Sequence, residues 1–269
     1  MLFLFFSTRT HREYLWAGIS FCGFATILEN LVPDALLIVF LLRAAQQHRE
    51  NEQYILDMRQ AQEVQQILLP DHLPQVAGFS VESAYMPARE VGGDFFQVLE
   101  TQTGSLLIVF GDIAGKGLPA AMLVAMLVGA IRTRAKETGD PGAILRALND
   151  RLCGNTRGGF ATCIAAHISV DGTVDLANAG HLAPYLNGKE IDLEGALPLG
   201  IVSDIEFTTA RFLLEPGDGL TFVSDGVVEA TNSRQELFGF DRLRKIIRKK
   251  PSASPKPPNG SVKRTTLRC

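Results

Sequence analysis

What most restricts the fold of this chain is a pattern running from residue 79 to residue 240, in which short strand-forming runs are closed by turn residues and interrupted once by two helical stretches. The runs 79–85, 94–99, 105–110, 161–170, 173–177, 207–214 and 220–223 are rich in β-branched, aromatic and other apolar residues. Asp171-Gly172 and Asn187-Gly188 are two-residue turns whose twist suits antiparallel hairpins. In the middle, Pro119 stands at a first helical position before an uncharged run reaching Ile131. Asp140-Pro141 reads as N-cap and N1 ahead of Ile144, Leu145, Leu148 and Leu152. Helices grouped within an antiparallel strand series predict an α+β domain, with layered sheets inside and helices outside.

Three aspartates sit where core packing would not place them. Asp94 follows Gly92-Gly93 at the start of a strand, Asp112 follows Gly111 at the end of the apolar run 106–110, and Asp225 lies between Ser224 and Gly226 after 220–223. Carboxylates at strand ends beside glycine can converge on one side of a sheet, and oxygen-only ligands suit Mg²⁺ or Mn²⁺. Taken singly, each Asp reads more readily as a turn cap; the three together favour a shared site. The stretch Gly111-Asp112-Ile113-Ala114-Gly115-Lys116-Gly117 is not a nucleotide loop: a Walker A sequence needs four residues before its Gly-Lys pair and Ser or Thr after it. Asn178-Ala179-Gly180-His181 marks a turn in which His181 is either a general acid or, as we expect, a residue that orders the backbone.

The flanks differ from this middle. From residue 14 to 42 the only formal charges are Glu29 and Asp34, so 1–42 is expected to be an apolar, membrane-associated helical segment, although neither 14–28 nor 31–42 alone reaches the ~20 residues of a span. A helical hairpin buried against protein is the alternative. Residues 43–70 turn polar, and Tyr54, Met58, Ala61, Gln65 and Leu68 follow the period of a coiled-coil seam. A homodimer through 43–69 and a solvated linker helix are both open. The C-terminal 28 residues hold ten Lys/Arg and no Asp or Glu, leaving 16 basic against 29 acidic side chains in the other 241, a net of −13. That split excludes a uniformly basic nucleic-acid surface, and the proline-rich stretch 251–269 reads as a disordered basic tail. The cysteines at 22, 153, 163 and 269 form neither a zinc spacing nor a disulfide framework.

Taken together, Gln65-Gln66-Ile67-Leu68-Leu69-Pro70, Val91-Gly92-Gly93-Asp94-Phe95-Phe96, the 111–117 loop, Asn178-Ala179-Gly180-His181, Leu197-Pro198-Leu199-Gly200, Ser224-Asp225-Gly226 and Glu236-Leu237-Phe238-Gly239-Phe240 resemble the SpoIIE/RsbU-type branch of the PP2C (PPM) protein phosphatases. The resemblance implies a PP2C-like αββα sandwich of two antiparallel sheets flanked by helices over 71–250. It also implies hydrolysis of phosphoserine or phosphothreonine on a regulatory protein, such as an anti-sigma-factor antagonist, with two Mn²⁺ or Mg²⁺ ions. Asp112 would bridge the metals, Ile113 would offer its backbone carbonyl, and Asp94 and Asp225 would complete the set; Arg89 is a candidate for the substrate phosphate. The implied setting is a bacterial membrane, with the phosphatase domain in the cytoplasm. One departure stands out: the family's final strand carries a further Asp, and nothing after Asp241 matches it. The domain is therefore expected to lack its C-terminal strand and fourth carboxylate. A non-catalytic phosphoprotein-binding module and a dimeric signalling scaffold are the alternatives.

Overall fold

The computed structural model describes residues 10–70, 72–85, 92–155, 159–248 and 263–268. The chain divides into two compact units, Met1–Leu56 and Asp57–Cys269. Helix α1 (Thr10–Leu68) belongs to both and continues through residue 43, where the sequence suggests a change of segment. In the first unit, Leu36, Leu37, Ile38, Val39, Phe40, Leu41 and Leu42 are all exposed, which covers every side of two helical turns. Among the described residues no helix is long and apolar enough to cross a membrane.

The second unit is a two-sheet sandwich. After β1 (Ser80–Tyr85) come β2 (Asp94–Glu100) and β3 (Leu106–Ile113), then helices α2 (Leu118–Arg134) and α3 (Pro141–Asn155). The chain returns through β4 (Ala161–Ile168), β5 (Thr173–Ala179), the small hairpin β6 (Tyr185–Leu186) and β7 (Lys189–Glu190), β8 (Thr209–Leu213) and β9 (Gly219–Val223). It ends with α4 (Asp225–Val228), α5 (Gly239–Arg248) and β10 (Lys263–Arg268). One sheet has the order β2-β3-β4-β5-β8 and the other β1-β10-β9-β6-β7, with every pairing antiparallel.

The layers follow from side-chain alternation. Along β3, Leu107 and Val109 meet Leu127, Ile131, Ile144 and Leu148 of the two long helices. Leu106, Ile108 and Phe110 point the other way and join Ile164, Leu176, Leu220 and Phe222 between the sheets. Because β3 is covered on both faces it reads as an unbroken apolar run. On the far side, Val223 and Tyr185 pack against Val227, Val228, Leu243 and Ile247, so α4 and α5 form the fourth layer.

Two expectations are corrected here. The domain does not lack its final strand: residues 263–268 of the presumed disordered tail form β10, an interior strand paired with both β1 and β9. A gap between those strands would leave two rows of backbone donors and acceptors unpaired, and Thr265-Thr266-Leu267 has the composition to fill it. Residues 251–262 lie outside the described residues. The coiled-coil seam is corrected as well, since Ala61 and Gln65 are only 2% exposed and Met58 packs with Ala61 and Ala121. At Met58 and Ala61 the seam is occupied by Ala121 on α2 of its own domain.

Candidate metal centre

Asp94 opens β2 and Asp112 lies near the end of β3, and the antiparallel register places them directly opposite each other. Asp225 reaches the same place from the other sheet, as the first residue of α4 after β9. One carboxylate oxygen from each of the three comes within 4.8 Å of the others. Asp94 and Asp112 are half-buried and Asp225 is exposed, so the cluster is open to solvent on the Asp225 side. Carboxylates held this close repel one another unless a cation stands among them.

The backbone keeps the centre of the cluster clear. A Cβ on Gly93 would overlap the Ile113 carbonyl oxygen and come within 2.8 Å of Asp112 Oδ1. Ile113 N–H in turn donates to the Gly93 carbonyl at 3.1 Å. The Ile113 carbonyl, the Asp112 carboxylate and the glycine therefore face one another across a space that only glycine leaves open. Beyond it Gly115 and Gly117 adopt φ of 119° and 80°, which lets the chain turn from β3 into α2. This donor set is all oxygen, and the residues fit one or more hard divalent ions.

The surroundings hold the carboxylates in place. Gln65, on the last turns of α1, donates from Nε2 to the Gly92 carbonyl at 2.8 Å and to the Asp94 carbonyl at 3.1 Å. Gln97 Nε2 and Arg132 Nη2 both donate to the Leu68 carbonyl, at 2.8 and 3.0 Å, and Arg132 Nε donates to Gln97 Oε1 at 2.8 Å. The exposed end of the α1 carbonyl ladder is thereby capped by residues of β2 and α2. Burial, helped by the negative charge of Asp94, pushes the Tyr85 phenol up to about 12. Cys163 is fully buried and its thiol is pushed up by that burial, so it is not an activated nucleophile.

The structure thus brings together three of the site residues read from the sequence, Asp94, Asp112 and Asp225, with the Ile113 carbonyl beside them. Arg89 lies outside the described residues. At His181 it is Asn178 that orders the backbone: the His181 N–H donates to Asn178 Oδ1 at 2.8 Å and the His181 carbonyl accepts from Asn178 Nδ2 at 3.0 Å. Sequence reasoning missed Gln65 as part of the site, although a glutamine in an otherwise apolar seam was a visible signal.

The family profile described as stage II sporulation protein E (SpoIIE) matches residues 102–266, well over half of the chain and as far as β10. The chain belongs to the SpoIIE family. It is 30% identical over 213 residues to the phosphoserine phosphatase RsbU of Bacillus subtilis, an alignment covering 77% of this chain and 62% of RsbU. Across the curated relatives the chain spans between 36% and 62% of their length. Among solved structures it resembles the SiaA-PP2C domain of Pseudomonas aeruginosa, with a TM-score of 0.64 at 20% identity, covering 84% of this chain and 99% of that one. It also resembles the RsbU and RsbW domains of Rv1364c from Mycobacterium tuberculosis, with a TM-score of 0.62 at 24% identity, covering 75% and 62% of the two chains. These likenesses show that this SpoIIE-family chain has the PP2C fold, the αββα sandwich described above.

Proposed function

We propose that this chain is a metal-dependent protein phosphatase acting on phosphoserine or phosphothreonine of a regulatory protein. The observation that carries the reading is the convergence of Asp94, Asp112 and Asp225, from two adjacent strands and a helix, to within 4.8 Å in a SpoIIE-family chain. When bound, a pair of Mn²⁺ or Mg²⁺ ions supplies charge neutralisation at the phosphoryl group and a more acidic attacking water. Asp112, Asp94, Asp225 and the Ile113 carbonyl would hold those ions. Gly93 keeps the approach open, and Gln65 fixes the backbone from which Asp94 projects. No covalent intermediate on the protein is needed, which agrees with the inert, buried Cys163.

The name of the B. subtilis relative supports a phosphoserine substrate. A membrane as the second partner is supported by the seven exposed apolar residues 36–42, an all-round apolar surface that water does not favour. A phosphoprotein-binding module without turnover is the second reading. It is favoured by the ending of the chain, where β10 opens on Lys263-Arg264 and no acidic residue follows Asp241 to serve as the family's further carboxylate. Hydrolysis of a chromogenic phosphate ester separates the two. Stimulation by Mn²⁺ and loss on chelation are expected, and a folded chain with no Mn²⁺-dependent turnover would favour the binder.

A further inference from the structure

Asp94 and Asp112 are a cross-strand pair, and the register continues one strand further, pairing Asp112 with Thr162 of β4. Directly paired residues share a face of the sheet, with Cβ atoms about 4.5–5.5 Å apart. Asp94, Asp112 and Thr162 therefore form one row across three strands, on the face turned toward the second sheet. The next row inward is Phe96, Phe110 and Ile164. Behind Thr162 stands His181, whose Nδ1 is 2.9 Å from Thr162 Oγ1.

The imidazole has little freedom. It is 8% exposed and lies against the Phe110 ring, with centroids 5.3 Å apart. Its backbone is clamped from both sides by Asn178. Gly180 turns the chain at φ 70°, and a Cβ there would meet the Pro198 ring at 2.9 Å. A hydroxyl has one proton to give, whereas an ionised carboxylate accepts only. If Nδ1–H donates to Thr162 Oγ1, the threonine proton is left to point along the row.

Resting on the phosphatase reading above, we propose that His181 and Thr162 are positioning residues for the metal site. Among the described residues the Thr162 hydroxyl pairs with His181 Nδ1; in the metal-loaded protein His181 Nδ1–H donates to Thr162 Oγ1, and the Thr162 hydroxyl turns along the row to donate to the Asp112 carboxylate. The relay fixes the orientation of the Asp112 carboxylate and so which of its oxygens is left free for a metal ion. Hydrogen-bond partners of this kind behind a metal ligand are typically worth about 10- to 100-fold in metal affinity.

The test is Mn²⁺ binding to the full chain by isothermal titration calorimetry, with the melting temperature of each metal-free variant as the control for folding. Thr162→Val keeps the shape and removes the hydroxyl; it is expected to weaken Mn²⁺ binding about 10-fold or more with little change in melting temperature. His181→Leu should do the same, while Thr162→Ser and His181→Asn, which keep a hydroxyl and an N–H at the relay positions, restore most of the affinity. Should His181→Leu not fold, Thr162→Val decides alone. Wild-type affinity in folded Thr162→Val overturns the relay and leaves the phosphatase reading standing. A wild-type chain that binds no Mn²⁺, or an Asp112→Asn variant that binds it as well as wild type, overturns the phosphatase reading itself, and the relay with it.

Discussion

At the scale of single residues, the site depends as much on what is missing as on its carboxylates. Gly93 is the clearest case, because any side chain there enters the space shared by the Ile113 carbonyl and Asp112. Gly93→Ala is expected to destabilise the domain by about 1–3 kcal/mol through overpacking and to abolish Mn²⁺ stimulation. Denaturant melts and Mn²⁺ titrations check both, and an alanine variant with undiminished Mn²⁺ stimulation would contradict the geometry. His167, at the opposite end of β4 from Ala161, gives a pH dependence. Partial burial lowers its pKa, partly opposed by the nearby Asp175. The unfolded chain then takes up this proton before the folded one does. The stability linked to His167 is therefore complete above the ordinary value of about 6.5 and is lost as pH falls from there toward the lower folded-state value. Denaturant midpoints measured between pH 7.5 and 5 should show less acid loss in His167→Gln than in wild type.

At the scale of elements, the end of α1 is part of the sandwich domain. Gln65→Leu would leave the Gly92 and Asp94 carbonyls without their side-chain donor, at a cost of about 1–3 kcal/mol. Hydrogen exchange at the start of β2 should rise in that variant, and unchanged protection would show that the helix does not hold the strand. The strands around the site were legible because apolar runs, alternation and the turn pairs Asp171-Gly172 and Asn187-Gly188 are local signals. The seating of α1 was not, because a coiled-coil seam and a stripe packed on the chain's own helix share one period. Only the partner differs, and Ala121 lies 60 positions away from Ala61. The three aspartates could be read from their glycine neighbours, whereas the pairing of Asp112 with Thr162 is a matter of register between strands that local pattern does not carry.

At the scale of the whole molecule, β10 holds β1 to the rest of its sheet. Composition pointed to disorder there, since Pro, Ser and Lys dominate the approach to it. The structure differs because pairing on both sides rewards the backbone whatever the side chains are. A chain ending at Lys250 should melt at a lower temperature and bind a hydrophobic dye more strongly than the full chain, through the opened face of β9 and the loss of β1. Equal melting would mean that β10 contributes nothing to the fold. The central claim is that Asp94, Asp112 and Asp225 form a working metal site for phosphoryl hydrolysis. Its most direct test is phosphate release from a phosphoserine peptide, with and without Mn²⁺, by the full chain and by Asp112→Asn, both first shown to be folded. Mn²⁺-dependent release is expected from the full chain, reduced at least a hundredfold in the variant, about 2.7 kcal/mol of lost transition-state stabilisation. Release that ignores Mn²⁺, or survives the substitution, would contradict it.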